Sequence, residues 1–163
     1  MDRLWSPWRY DYIKSGSTEK SEPPACVFCA MLEATGDDES KYIVHRAAHN
    51  FVVLNIYPYI SGHTMVVPYA HLAELAAAPK ETTDEMMDLT KRLQAVMREV
   101  YRPDGFNLGM NLGRAAGAGV ADHFHLHIMP RWTGDTNFMT TVGETRVHPE
   151  DLATTYQKLR EKF

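Results

Sequence analysis

Cysteine is scarce in this chain, with two among 163 residues. The dense disulfide framework that holds small secreted domains together is therefore excluded. An excess of positive charge is missing too. Lys+Arg 17 against Asp+Glu 21 leaves a formal net charge of −4. That balance argues against a binder of long nucleic acid, whose affinity comes from many basic contacts to phosphates. It stays compatible with a small anionic ligand held by a few local donors. No stretch approaches the roughly 20 apolar residues that span a bilayer. The first sixteen residues carry Trp5, Arg9, Asp11 and Tyr12 where a secretory leader would need an apolar core. Internal repeats and low-complexity tracts are lacking. These absences predict a soluble cytoplasmic protein with no membrane partner.

What is there looks globular. Apolar residues make up 44% and charged residues 23%, both ordinary values. A chain of this length is expected to form one domain that buries roughly 70% of its unfolded surface. Residues 1–25 read as an N-terminal aromatic segment (Trp5, Trp8, Tyr10, Tyr12) and a polar linker, and 26–163 as the single domain. The unusual count is eight histidines, since histidine is the side chain that titrates nearest neutral pH.

The pattern of elements predicts an α+β fold. Strands are expected at 42–46, 50–56, 63–68, 106–111 and 123–130, and a short helix after Cys29 that Gly36 ends. Residues 71–78 favour a helix stopped by Pro79. The longest helix is expected over 83–101, opened by a capping box of Thr82 and Glu85. Its stripe of Met86, Leu89, Leu93, Val96, Met97 and Val100 recurs at helical spacing and reads as core. A final helix, with Pro149 in its first turn, places Leu152, Tyr156 and Leu159 on one side. The strands come in adjacent groups, so the sheet should be mainly antiparallel, about five strands with one long and one C-terminal helix.

The segment His123-Phe124-His125-Leu126-His127-Ile128 alternates strictly. In a strand the three histidines share one face, about 6.6 Å apart, and the apolar residues take the other. Three readings are open for such a face: solvated surface, a metal site, or nucleophilic catalysis on phosphorus by an imidazole whose neighbours place protons. The small-residue loop 113–119 immediately before the strand favours the third, because glycines let backbone N–H groups approach phosphate oxygens.

This segment resembles the signature of the histidine triad superfamily of nucleotidyl transferases and hydrolases. Gly62-His63-Thr64 leading into Val66-Val67-Pro68, the Cys26-x-x-Cys29 start and Asn111 before the glycine loop match as well. The segments 54–59 and 130–138 are similar to the bacterial branch that includes diadenosine tetraphosphate phosphorylase and to related dinucleoside polyphosphate enzymes. The resemblance implies that His125 attacks the α-phosphorus of a purine nucleotide or dinucleoside polyphosphate. A covalent nucleotidyl-histidine follows, released by phosphate or water. It implies His127 at the phosphate and leaving group, His63 at the edge of the site and Asn111 as an orienting amide. Asn55 would meet the ribose, and Phe28, Phe51 and Leu54 would flank the purine or serve as ordinary core.

One departure is visible. Many relatives have Ser or Thr a few residues before the first histidine, whereas 117–122 here is Gly-Ala-Gly-Val-Ala-Asp. Backbone N–H groups of Gly119 and Val120 would have to substitute, which leaves the leaving-group preference open. An adenosine phosphoramidate-type hydrolase and a non-catalytic nucleotide-binding module are the alternatives. The loop 131–138, with Arg131, Asp135 and Asn137, is a further candidate for polyphosphate binding.

Cys26-x-x-Cys29 suits a metal or a redox pair. Zinc-binding members of the superfamily complete a Cys₂His₂ set at positions that fall here on His71 and His123, so the resemblance implies a structural zinc. His45, His49 and His148 fit neither site and are expected at the surface. The family also implies a homodimer or a higher oligomer, with the long helix and a sheet edge as contacts.

Overall fold

A computed structural model describes residues 26–137 and 149–163. The expectations for the aromatic segment and linker, for Phe138 and for His148 lie outside those residues.

Five strands form one antiparallel sheet in the order β1-β2-β3-β5-β4. They are β1 (Ile43–Arg46), β2 (Asn50–Leu54), β3 (Thr64–Pro68), β4 (Gly105–Gly109) and β5 (Leu126–Arg131). Among the described residues three helices accompany them: α1 (Val27–Glu33), α2 (Lys80–Tyr101) and α3 (Leu152–Lys162). The architecture is the expected α+β one, with the histidine-bearing strand inside the sheet and β4 at its edge.

Strand alternation builds a separate core on each face. Val52 pairs with Val66 and Val66 with Leu126, so these side chains share a face. With Leu54, Phe124 and Ile128 they pack against Met86, Leu89, Leu93 and Met97 of α2 and Tyr156 and Leu159 of α3. On the other face Val53 pairs with Met65 and Met65 with His127. That face gathers Ile43, Phe51, Val53, Met65, Val67 and, from α1, Phe28. Both faces of β2 and β3 are thus covered, which is why those strands read as nearly unbroken apolar runs. Each fully buried aliphatic side chain contributes about 1.5–3 kcal/mol relative to exposure.

Several local expectations are corrected. Helix α2 starts at Lys80 with Pro79 at its N-cap and no side-chain cap, so Thr82 and Glu85 do not form a capping box. Instead the Glu85 carboxylate reaches across to the β1–β2 turn. It accepts from Ala48 N at 2.9 Å, His49 N at 2.8 Å and Asn50 Nδ2 at 2.8 Å. The expected helix over 71–78 is a single 3-10 turn, Leu75–Ala77, and Pro79 opens the next helix rather than stopping one. Pro149 lies outside α3; Asp151 is its N-cap and accepts from Thr154 N. The histidine segment is a paired strand only from Leu126. Residues 123–125 are held outside the regular ladder, by Phe124 N donating to Leu72 O at 2.7 Å.

The turn before β3 requires glycine. Gly62 has φ +79, and a Cβ there would stand 3.0 Å from Pro130 Cγ and 3.3 Å from the Tyr101 ring. The missing side chain lets the turn sit against β5, which brings His63 to the histidine row.

Candidate active site and metal centre

His123, His125 and His127 are all buried, and the alternation that places them survives although only His127 belongs to the ladder. The rings of His125 and His127 lie 4.7 Å apart at 75°. His63, at the start of β3, brings its ring within 5.0 Å of His127.

The protons on these rings follow from their partners. His125 Nδ1 is 3.0 Å from the main-chain oxygen of His123. A carbonyl only accepts, so Nδ1 carries the proton and Nε2 keeps its lone pair. Tyr59 N donates to His63 Nδ1 at 3.1 Å, which puts the His63 proton on Nε2. That Nε2 lies 2.9 Å from His127 Nδ1, so His63 donates and the His127 proton resides on Nε2. One backbone amide thereby fixes two tautomers in series. Burial, and then the neighbouring His125, push His127 down to about 4. Burial also holds His125 and His123 below the usual imidazole value. All three are neutral at pH 7. The site presents one unprotonated ring nitrogen, suited to nucleophilic attack, beside an N–H suited to an oxyanion or a leaving oxygen.

A second group of donors lies beside it. Cys26, Cys29, His71 and His123 bring one ligand atom each within 4.8 Å of one another. Cys26 Sγ stands 3.3 Å and Cys29 Sγ 3.8 Å from His123 Nδ1, and Cys29 Sγ stands 3.4 Å from His71 Nδ1. Sulfur and nitrogen ligands of a tetrahedral zinc are about 3.5 Å apart, so the four fit a metal ion. Local structure explains the pair: Cys26 is the N-cap of α1, making no side-chain cap bond, and Cys29 lies in the first turn, so both thiols sit at one end of the helix. His123 Nε2 donates to Pro68 O at 2.9 Å, which leaves Nδ1 for the metal and sets the ring angle.

The remaining expected residues divide. Asn55 sits beside His63, its Nδ2 3.4 Å from His63 Nδ1 and its Oδ1 accepting from Tyr57 N at 2.9 Å. Asn111 lies half-buried two residues beyond Gly109, which pairs with His127. Phe28 is 3% exposed, its ring edge-on to both His123 and His125. Phe51 is fully buried and stacks on Tyr69 at 5.5 Å. Leu54 belongs to the core on the helix side of the sheet, so its side chain does not join the histidines; Val53 takes that face. Gly119 and Val120 lie in the bend before His123, with Val120 against the histidine-side core.

Arg131 is committed elsewhere. It pairs with Gly105 at the far end of β5, gives two 2.6 Å bonds to Asp135 and a third to Asn107 Oδ1. The guanidinium ties its loop to β4. His49 is exposed as expected, whereas His45 is half-buried against the Phe163 ring at 4.6 Å. Sequence reasoning missed Tyr59 and the Pro68 carbonyl. Both act through the main chain, which residue identity does not reveal.

A cavity of about 170 Å³ lies between the 58–62 turn and the start of α3, lined by Pro58, Ser61, Glu150 and Leu152. It touches His63 but neither His125 nor His127. Among the described residues no helix is long and apolar enough to cross a membrane.

The model of the HIT domain matches residues 37–134. An AP-4-A phosphorylase of Mycobacterium tuberculosis is 39% identical over 98% of this chain and 83% of its own length. An uncharacterized HIT-like protein of Methanocaldococcus jannaschii is 34% identical over 68% of this chain and 81% of its own. Among solved structures, a Zn-bound histidine triad family protein from Mycobacterium smegmatis aligns with TM-score 0.68 and 29% identity, covering 85% of this chain and 92% of that one. A hypothetical histidine triad nucleotide-binding protein from Sulfolobus tokodaii aligns with TM-score 0.66 and 29% identity, over 84% and 91%.

Proposed function

Because this chain belongs to the HIT domain family, we propose that it is an enzyme of nucleotidyl transfer from purine dinucleoside polyphosphates, of the diadenosine tetraphosphate kind. His125 Nε2 attacks the α-phosphorus; a P–N bond forms and the P–O bond to the rest of the polyphosphate breaks. His127 Nε2–H donates to the departing or non-bridging oxygen. Inorganic phosphate or water then takes the nucleotidyl group from His125, and the P–N bond breaks. The observation that carries this reading is the Nδ1–H bond from His125 to the His123 carbonyl, which leaves Nε2 as a neutral nucleophile. The M. tuberculosis relative supports phosphate as the acceptor by its name.

Loop 112–122 offers no hydroxyl beside His123, so backbone N–H groups of Gly119 and Val120 serve the phosphate oxygens, and Asn111 orients the leaving group. Asn55 meets the ribose at the entrance. Zinc fits the Cys26, Cys29, His71, His123 site, where it supplies a structural cross-link between α1 and the catalytic segment. The edge strand β4, with no further strand beside it among the described residues and with Leu108 exposed, is the surface on which a homodimer forms. The cytoplasm, where nucleotides are abundant and thiols stay reduced, suits both sites.

The test is to incubate the protein with diadenosine tetraphosphate, with and without inorganic phosphate. ADP beside ATP means phosphorolysis, and AMP beside ATP means hydrolysis. No mononucleotide under either condition overturns the reading. A phosphoramidate substrate run in parallel separates the hydrolase alternative, and nucleotide binding without turnover of either substrate would point to a non-catalytic binding module.

A further inference from the structure

We propose that Phe28 is a positioning residue for His125, through which the Cys26, Cys29, His71, His123 site controls where that imidazole stands; the catalytic part of this rests on the reading of His125 as nucleophile. Cys26 and Cys29 bracket Phe28 on α1, a helix of seven residues with no side-chain cap bond. A helix so short has little stability of its own. It is held by its donor atoms beside His123 and His71 and by its buried apolar residues.

Phe28 presents its edge to His123 at 5.3 Å and to His125 at 5.0 Å. His125 is bonded at Nδ1 to the His123 carbonyl, and rotation of its ring is bounded by Phe28 on one side and His127 on another. The wall formed by Phe28 is carried on the same helix turn as two of the four metal donors. The second route is the main chain: His123 offers Nδ1 to the donor cluster, Nε2 to Pro68 O, and its own carbonyl to His125. Releasing the donors frees α1, removes one wall and loosens the residue whose carbonyl orients the nucleophile. At 3% exposed, Phe28 is itself held firmly in place.

The experiment compares the full zinc-loaded chain with Phe28→Leu, and each with its chelator-stripped form. In Phe28→Leu we expect one zinc per chain retained, kcat lower by about tenfold or more and KM within about twofold, as for a misplaced reacting group. In ¹H–¹⁵N imidazole spectra without substrate, the His125 resonances shift in Phe28→Leu and again when zinc is stripped from the unaltered chain. A raised KM with unchanged kcat would make Phe28 a base contact and overturn the proposal. So would His125 resonances indifferent to both changes. Because the spectra need no substrate, they decide the coupling even if no nucleotide is turned over. Phe28→Met carries the same measurements should leucine unfold the chain.

Discussion

His63 Nε2 donates to His127 Nδ1 at 2.9 Å, and this contact joins two strands at the point where the chemistry is arranged. The bond selects the tautomer in which His127 carries its proton on Nε2. His63→Ala leaves the buried His127 Nδ1 without its donor, a loss of roughly 1–3 kcal/mol. The expected outcome is a fall in kcat of about 10–100-fold with the fold kept. Unchanged kcat in steady-state assays, with circular dichroism unaltered, would remove His63 from the mechanism.

His125→Ala should abolish mononucleotide release, by about 10³-fold or more, because the variant lacks the group proposed to carry the nucleotide. Intact-mass analysis of the unaltered chain quenched at high pH should show one nucleotidyl adduct. None should form on the variant.

His127 gives the protein an acid sensitivity. Its folded value is pushed down to about 4, below the 6.5 of an unperturbed histidine. A depressed value means that the folded state disfavours the proton. The contribution to stability is full above pH 6.5 and disappears as pH falls through 4, on the order of 3 kcal/mol at most. The melting temperature should therefore drop steeply between pH 6.5 and 4. His127→Gln should flatten that slope, and an identical slope in the variant would refute the assignment.

Metal removal tests the second site. One zinc per chain is expected by elemental analysis, and close to none in Cys26→Ser. Loss of the cross-link should lower the melting temperature by roughly 10 °C. Equal melting with and without chelator would mean that the four donors hold nothing that matters to the fold.

Leu54→Ala separates core from site. Leu54 is 1% exposed on the helix side of the sheet, so truncation should cost about 2–5 kcal/mol in urea unfolding. KM for the nucleotide should stay unchanged. A raised KM with unaltered stability would restore Leu54 to the purine pocket.

Much of this was legible in the residues, and the gaps have physical causes. Alternation put His123, His125 and His127 on one side with no need for the ladder, because Phe124, Leu126 and Ile128 are drawn into the opposite core. The metal donors were legible as a set through the resemblance, and the fold brings all four together. For Leu54 both readings stayed open because β2 is apolar on both sides and residue type does not say which face a side chain takes; the fold puts it with the helix-side core. Thr82 and Glu85 have capping-box spacing, yet Pro79 starts the helix earlier and Glu85 finds stronger donors in the β1–β2 turn. Tyr59 and Pro68 act through backbone atoms, which no side-chain pattern announces.

The strand that carries His127 is an interior one, next to the edge strand β4. His127 sits in β5, hydrogen-bonded to β3 on one side and to β4 on the other. Backbone amides of a strand paired on both sides open rarely. Their hydrogen exchange should be slow, and slower than that of amides outside the sheet. Heat inactivation should then coincide with global unfolding. The enzyme keeps His127 in place up to the temperature at which the fold itself is lost.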